Sequence, residues 1–303
     1  MPNVTPGSVV AFADAPAVLP ASRDAGAVGR MTLDGPARLA AATLAAIALL
    51  AVLAPWIAPY DPLAVLDMIA GAQPPSGRHW LGTDPVSRDL LSRVLFGARL
   101  SLGITAVAVS LSLAIGTTWG AIAGFAGRGV DATLMRFVDA GLAMPRIILL
   151  LAIASFWGAL TPLALAVVLG LTGWFGTSRL VRDEVRAVTT RDFSIAARAL
   201  GFPPWRVLVR HVLPHAVTPM LVGATLSVGQ VIVVEAGLAF LGSGLAPPAA
   251  SWGSIIRDGQ EVLATAWWMS VFPGVALAIT VLSVNVLGDR LRAALGARQL
   301  PAP

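Results

Sequence analysis

Two ionisable side chains, Arg146 and Glu235, stand inside otherwise apolar stretches, where a central Arg costs about 2.5–3.5 kcal/mol to insert into hydrocarbon and so needs a partner or a use. Arg146 could line a path and attract an anionic group of a passing molecule, or pair with an acid such as Glu235 or Asp139. Glu235 could meet a cationic amino terminus or only satisfy a neighbouring helix. Other reactive groups are few. The chain has no Cys, so it offers no thiolate as nucleophile or zinc ligand. Lys is also absent, which rules out a Gly-x4-Gly-Lys phosphate loop in this chain. His211 and His215 have the spacing of helical metal ligands, but Pro214 lies between them and no third ligand is near, so no metal site is expected. No Ser/His or His/Asp grouping inside an apolar run suggests an intramembrane enzyme. There remains a polar segment with seven Arg from Arg179 to Arg210, closing on His211-Val212-Leu213-Pro214.

The elements that must position these groups follow from composition. The 303 residues are 56% hydrophobic and 12% charged, with mean hydropathy +0.79, whereas soluble domains carry about 25% charged residues. This is the composition of a polytopic membrane protein. Uncharged or nearly uncharged runs predict an all-α fold with six transmembrane helices at about 39–58, 100–125, 137–157, 162–178, 215–241 and 262–288. Residues 1–37 read as a disordered tail, 38–296 as one transmembrane helical domain and 297–303 as a second tail. Gly116, Gly120 and Gly124 recur every four residues, which lines up bare backbone on one face and predicts close packing against another helix. Asp84 before Pro85 predicts an N-cap for a helix over 86–98, whose Leu90, Leu91, Val94 and Leu95 form an apolar stripe suited to lying on the membrane surface.

Counting Arg near span ends orients the chain. With both termini cytoplasmic, Arg23, Arg30, Arg38, Arg128, Arg136, the seven from Arg179 to Arg210, Arg290, Arg292 and Arg298 lie inside, and only Arg78, Arg88, Arg93, Arg99 and Arg257 lie outside. Trp56, Tyr60, Trp157, Trp252, Trp267 and Trp268 then fall at the outer interface, while Trp119 and Trp174 read as packing residues. This topology accounts for the net charge of +5 without nucleic acid, for which no basic cluster interleaved with aromatics exists. It also makes 179–214 the longest internal connection, too long for a mere link. Within it, Arg191 to Leu200 predicts a short helix ended by Gly201, Pro203-Pro204 predicts a second, and Pro214 starts re-entry into the membrane.

The segment Ile195-Ala196-Ala197-x3-Gly201-x9-His211-Val212-Leu213-Pro214 resembles the loop by which importer permeases grip their ATPases. Further residues carry the resemblance: His79-Trp80-Leu81-Gly82-Thr83-Asp84, Ser87-Arg88-Asp89-x2-Ser92-Arg93, Gly97-Ala98-Arg99-x-Ser101-Leu102, Glu235-Ala236-x-Leu238-x-Phe240-Leu241-Gly242, Pro247-Pro248-x2-Ser251-Trp252-Gly253, Phe272-Pro273-Gly274 and Asn285-Val286-Leu287-Gly288-Asp289. Over residues 38 to 296 the chain is similar to the inner-membrane permeases of binding-protein-dependent ABC importers, in the dipeptide/oligopeptide/nickel branch and of the second-subunit type.

That resemblance implies a multi-pass bacterial plasma (inner) membrane subunit, itself not an enzyme and binding no cofactor. It would pair as a heterodimer with a homologous second permease, sit among membrane lipid, and be driven by two cytoplasmic ABC ATPase subunits that hold the ATP. An extracytoplasmic binding protein would deliver di- or oligopeptides, or alternatively nickel chelates, glutathione or haem. Arg191, Ala196, Ala197, Leu200, Gly201, Leu213 and Pro214 would form the ATPase contact, with Ala196 and Ala197 letting a partner's backbone come close. Arg88, Asp89, Ser251 and Trp252 would form the outer gate or the binding-protein contact. Ile195 departs from the Glu usual at its position; it would pack within the loop, with Arg191 and Arg198 supplying polar contacts instead. An ion-coupled secondary transporter is the rival class, but internal inverted repeats are not evident.

Overall fold

The computed structural model describes residues 34–67, 71–158 and 160–296. Most of the expected first tail, residues 1–33, and the whole of 297–303 lie outside the described residues. Helix α1 (Gly35–Ile57) already begins within the segment read as tail, with a Pro in its first turn.

Helix α2 runs from Leu90 to Phe125, about 54 Å at 1.5 Å per residue, so it outruns the roughly 30 Å of hydrocarbon. The expected surface helix over 86–98 is therefore not a separate element. Its cap is also different: Asp89, not Asp84, caps α2, accepting from the Ser92 N–H at 2.8 Å. Asp84 instead closes a turn, accepting from the amides of Val86 (3.0 Å) and Arg88 (2.8 Å), while Ser87 adopts a φ of 59°. That left-handed residue prevents the chain from entering a helix directly after Pro85.

The span expected at 137–157 is broken. Helices α3 (Arg128–Ala143) and α4 (Arg146–Trp157) meet at a bend of 81°. Pro145 has no N–H to continue the ladder and drives Met144 into an extended conformation, φ −86° and ψ 129°. Alone, 16 and 12 residues are too short to cross; together they form one broken span.

Helix α5 (Pro162–Thr189) starts on the Thr161 cap and continues well beyond residue 178, which shortens the expected loop. Two short helices follow, α6 (Asp192–Ala199) and α7 (Pro204–Val207), then a π turn over Leu208–Val212 and α8 (Leu213–Phe240). The Leu213 N–H reaches back to the Leu208 carbonyl, and Pro214, which has no N–H, follows at once inside the continuing helix. The wide turn fits a Pro whose ring would crowd the carbonyl four residues earlier. Helix α9 (Trp252–Gln260) is held by a Ser251/Ser254 capping box, and α10 (Trp268–Gly296) is the last span. Five described helices are long and apolar enough to cross a membrane, and the bent pair makes six. The chain is an all-α polytopic membrane protein.

Its spine is the pairing of α2 with α5. A Cβ placed on Gly116 would stand 2.7 Å from Thr177 Cβ, one on Gly120 2.8 Å from Val181 Cβ, and one on Gly124 2.9 Å from Val185 Cγ1. The contacts advance together along both helices, so the two run parallel with their backbones close, as the glycine spacing required. Trp119 and Trp174 pack beside this seam with Phe137 and Phe175, tying α3 to it. By contrast, Leu39, Leu50, Val52, Phe156, Leu221 and Leu282 are exposed, forming the apolar surface of a membrane protein.

Candidate functional site

Three places hold the residues singled out above. At one end of the bundle, α6 lies across the end of α5. Ser194 is buried and donates its Oγ to the Val188 carbonyl at 2.8 Å, and Arg198 donates to the carbonyls of Thr189 (2.7 Å) and Ser194 (3.3 Å). Below α6, Ala197 joins Val181, Val185, Val188, Val207, Val212, Ala216 and Met220 in a common core. The turn after α6 is fully bonded: Phe202 N–H reaches the Ala197 carbonyl and Gly201 N–H the Arg198 carbonyl. Gly201, at φ 79°, takes the left-handed conformation this termination demands.

This anchoring sorts the expected contact residues. Ala196, Leu200, Gly201, Arg191 and Pro214 are exposed and Leu213 is half-buried. Ala197 is only 5% exposed and faces inward, so it is a core residue rather than a docking surface. Ile195 is 50% exposed, which corrects the expectation that it packs within the loop. Arg198 is committed to backbone carbonyls of its own chain. The outer face of the unit thus carries Phe193, Ile195, Leu200 (76% exposed) and Trp205 (63% exposed) around Ala196. The two histidines do not converge: His211 stacks on Phe202 and His215 packs against Phe193. Among the described residues no cluster of three or more potential ligands could hold a metal.

Halfway along the bundle, Arg146 opens α4 at the bend and donates Nη2 to the Leu169 carbonyl at 2.8 Å, while its Nε has no partner. Neither expected acid pairs with it. Asp139 is bonded to Arg179, and Glu235 accepts from Ser101 Oγ at 3.4 Å. Arg146 borders a cavity of about 390 Å³ between α4, α8 and α10, shared with Gly229, Gln230, Val233, Val234, Val281 and Asn285. Glu235 does not. It is 1% exposed and lies with Ser101 in the joint between α2 and α9, where Ser101 Oγ also accepts from the Trp252 N–H at 3.2 Å. In this chain Glu235 meets α2 through Ser101, while its Oε1 has no hydrogen-bond partner among the described residues.

At the other end, the residues proposed for an outer gate are mostly internal. Asp84 and Asp89 are buried, with Arg93 over them: Arg93 pairs with Asp84 and reaches Asp258 at 3.1 Å, Arg88 pairs with Asp84 at 2.6 Å, and His79 meets Asp89 at 2.9 Å. Ser251 and Trp252 are buried too, with the Trp252 indole donating to the Val94 carbonyl at 3.0 Å. Trp268 is likewise buried and donates to Thr83 O at 3.1 Å, so Trp252 and Trp268 are struts rather than interfacial anchors. Of the four proposed gate residues only Arg88 keeps appreciable exposure. Sequence reading missed Gln230 and Asn285 at the central cavity, because neutral amides in an apolar run leave no charge signal.

The sequence pattern of the family described as "Binding-protein-dependent transport system inner membrane component" matches residues 116–300. A protein of Brucella suis biovar 1 provisionally named a peptide permease is 41% identical over 245 residues, covering 80% of each chain. The dipeptide transport system permease protein DppC of Alkalihalophilus pseudofirmus is 40% identical over 224 residues, covering 74% of this chain and 73% of that one. Among solved structures, an inward-facing conformation of the MetNI methionine ABC transporter superposes with a TM-score of 0.58 at 22% identity, covering 67% of this chain and 97% of that one; it shares the fold. With its broken span, its short helices at both ends and these relatives, the chain belongs to the inner-membrane components of binding-protein-dependent transport systems, as a multi-pass permease component of an ABC importer.

Proposed function

We propose that this permease forms one half of a peptide translocation path and receives the ATPase stroke through α6. The observation that carries the proposal is the split character of α6. Its underside is fixed to α5 by Ser194, Ala197 and Arg198, while Phe193, Ile195, Leu200 and Trp205 leave apolar surface uncovered around Ala196. Such a unit can be pushed without deforming, because Ser194, Arg198 and the turn at Gly201 bind carbonyls of its own chain, and it has reason to be covered, because its outer surface is apolar.

The preponderance of Arg at that end supports a cytoplasmic setting for it and for both termini. A chain without Lys has no phosphate loop, which supports two separate ATPase subunits; a homologous second permease would complete the path, and a binding protein would deliver cargo at the α9 end. Peptides are the preferred cargo because the Brucella and Alkalihalophilus relatives carry peptide and dipeptide names at about 40% identity. Nickel chelates, glutathione and haem are the competing cargoes in an uptake assay.

The test is Ala196→Trp in the assembled transporter. The exposed position tolerates the ring, so the chain keeps its thermal stability while ATPase co-purification and peptide uptake both fall. Full co-purification with unchanged uptake would refute coupling through α6.

A further inference from the structure

The cavity beside Arg146 lies near the middle of α8 and α10, and so at mid-depth of the membrane. Its walls are Val233, Val234 and Val281, and three polar side chains interrupt them: Arg146, Gln230 and Asn285. The guanidinium is incompletely satisfied. Nη2 is taken by the Leu169 carbonyl, Nε is without a partner, and no described carboxylate pairs with it. Gln230 and Asn285 are exposed at the open side of the cavity, and their amides form no hydrogen bond among the described residues. Packing makes room for both long side chains. A Cβ on Gly229 would come within 3.1 Å of Asn285 Oδ1, and one on Gly173 within 3.0 Å of Arg146 Nη2.

We propose that Arg146, Gln230 and Asn285 form a carboxylate-recognition station on the translocation path. A fixed cation with two amides of uncommitted donors and acceptors suits a small planar anion, and the valines suit the apolar body attached to it. A charge retained at mid-membrane without an internal partner is expected to face a path. The cargo class this selects is a molecule with a free carboxylate, such as a peptide's carboxyl terminus, which rests on the importer reading above. Because binding at mid-path must also allow release, the station is built from one cation rather than several.

The experiment uses the naturally Cys-free chain in the full transporter reconstituted in vesicles. Val233→Cys places a thiol on the cavity wall, and its modification by an anionic sulfonate-bearing and a cationic trimethylammonium-bearing methanethiosulfonate is read by the mass of this chain. The anionic reagent should react faster by about fivefold or more, and adding Arg146→Gln should abolish that preference. Equal rates, or a preference unchanged by Arg146→Gln, would overturn the station, as would neutralisation of Arg146 by an acid of a partner subunit, which gives the same equal rates. In the second arm, Arg146→Gln should lower uptake of a dipeptide with a free carboxyl terminus by about tenfold relative to its amide, with Arg146→Lys retaining most of the discrimination. Equal losses for the two peptides would contradict carboxylate recognition. If the parent transporter carries neither peptide, the peptide reading fails, while the labelling arm still decides the station.

Discussion

The two ends of the bundle carry similar parts in opposite states. At the α9 end, Asp84, Asp89 and Arg93 are buried and satisfied by one another, by His79, Arg88 and Asp258, and by backbone amides, and Trp252 and Trp268 spend their indole N–H groups on carbonyls. At the α6 end, Ser194 and Arg198 are bonded to backbone carbonyls while the apolar side chains Phe193, Ile195, Leu200 and Trp205 are left outside. One end is tied together by charge pairs and the other by backbone carbonyls. The α9 end is held by buried charges, the α6 end by side chains bonded to backbone carbonyls beneath a face of exposed apolar residues.

The comparison breaks first at the α9 end. Arg93→Met leaves the buried Asp84 carboxylate without its main counter-charge, and breaking such a pair costs about 3–5 kcal/mol. The expected outcome is a large drop in the melting temperature of the purified chain; Asp84→Leu combined with Arg93→Met should recover much of it, since the lone buried charge is gone. A smaller effect is expected in the spine that joins the ends. Gly120→Leu drives a side chain into Val181 and the α5 backbone at about 1–3 kcal/mol of overpacking, read as earlier thermal unfolding. The smallest stability effect belongs to the α6 end. Ile195→Glu on the exposed face should leave melting within about 0.5 kcal/mol of the parent, while Ala197→Glu, which buries a charge one turn face away, should unfold the α6 unit, read as protease sensitivity between α5 and α8.

Much of the framework was legible in the sequence. Apolar runs predicted the spans, and the glycine spacing of α2 predicted a close seam because backbone approach requires missing side chains at one pitch. A proline at 145 signals a kink, but not the 81° break it produces with Met144 in an extended conformation. Caps were harder. Asp84-Pro85 has the composition of a helix start, and only the left-handed Ser87 with the pull of Arg88 and Arg93 hands that role to Asp89. The face of α6 was not legible either. Ala196 and Ala197 are identical in type, and which one turns inward is decided by Ser194 and Arg198 binding carbonyls at the end of α5. Glu235 carried a charge signal and lies buried against Ser101, away from the cavity, whereas Gln230 and Asn285 carried none and line it.

The account turns on the outward face of α6, and the absence of native Cys allows it to be tested directly. Ala196→Cys and Ala197→Cys would be placed separately in the full complex, with a single cysteine on the ATPase surface and a short bis-maleimide linker. The account predicts a crosslink from position 196 that changes with the nucleotide state, and none from position 197. Crosslinking from neither position in an active complex, or equally from both, would contradict it.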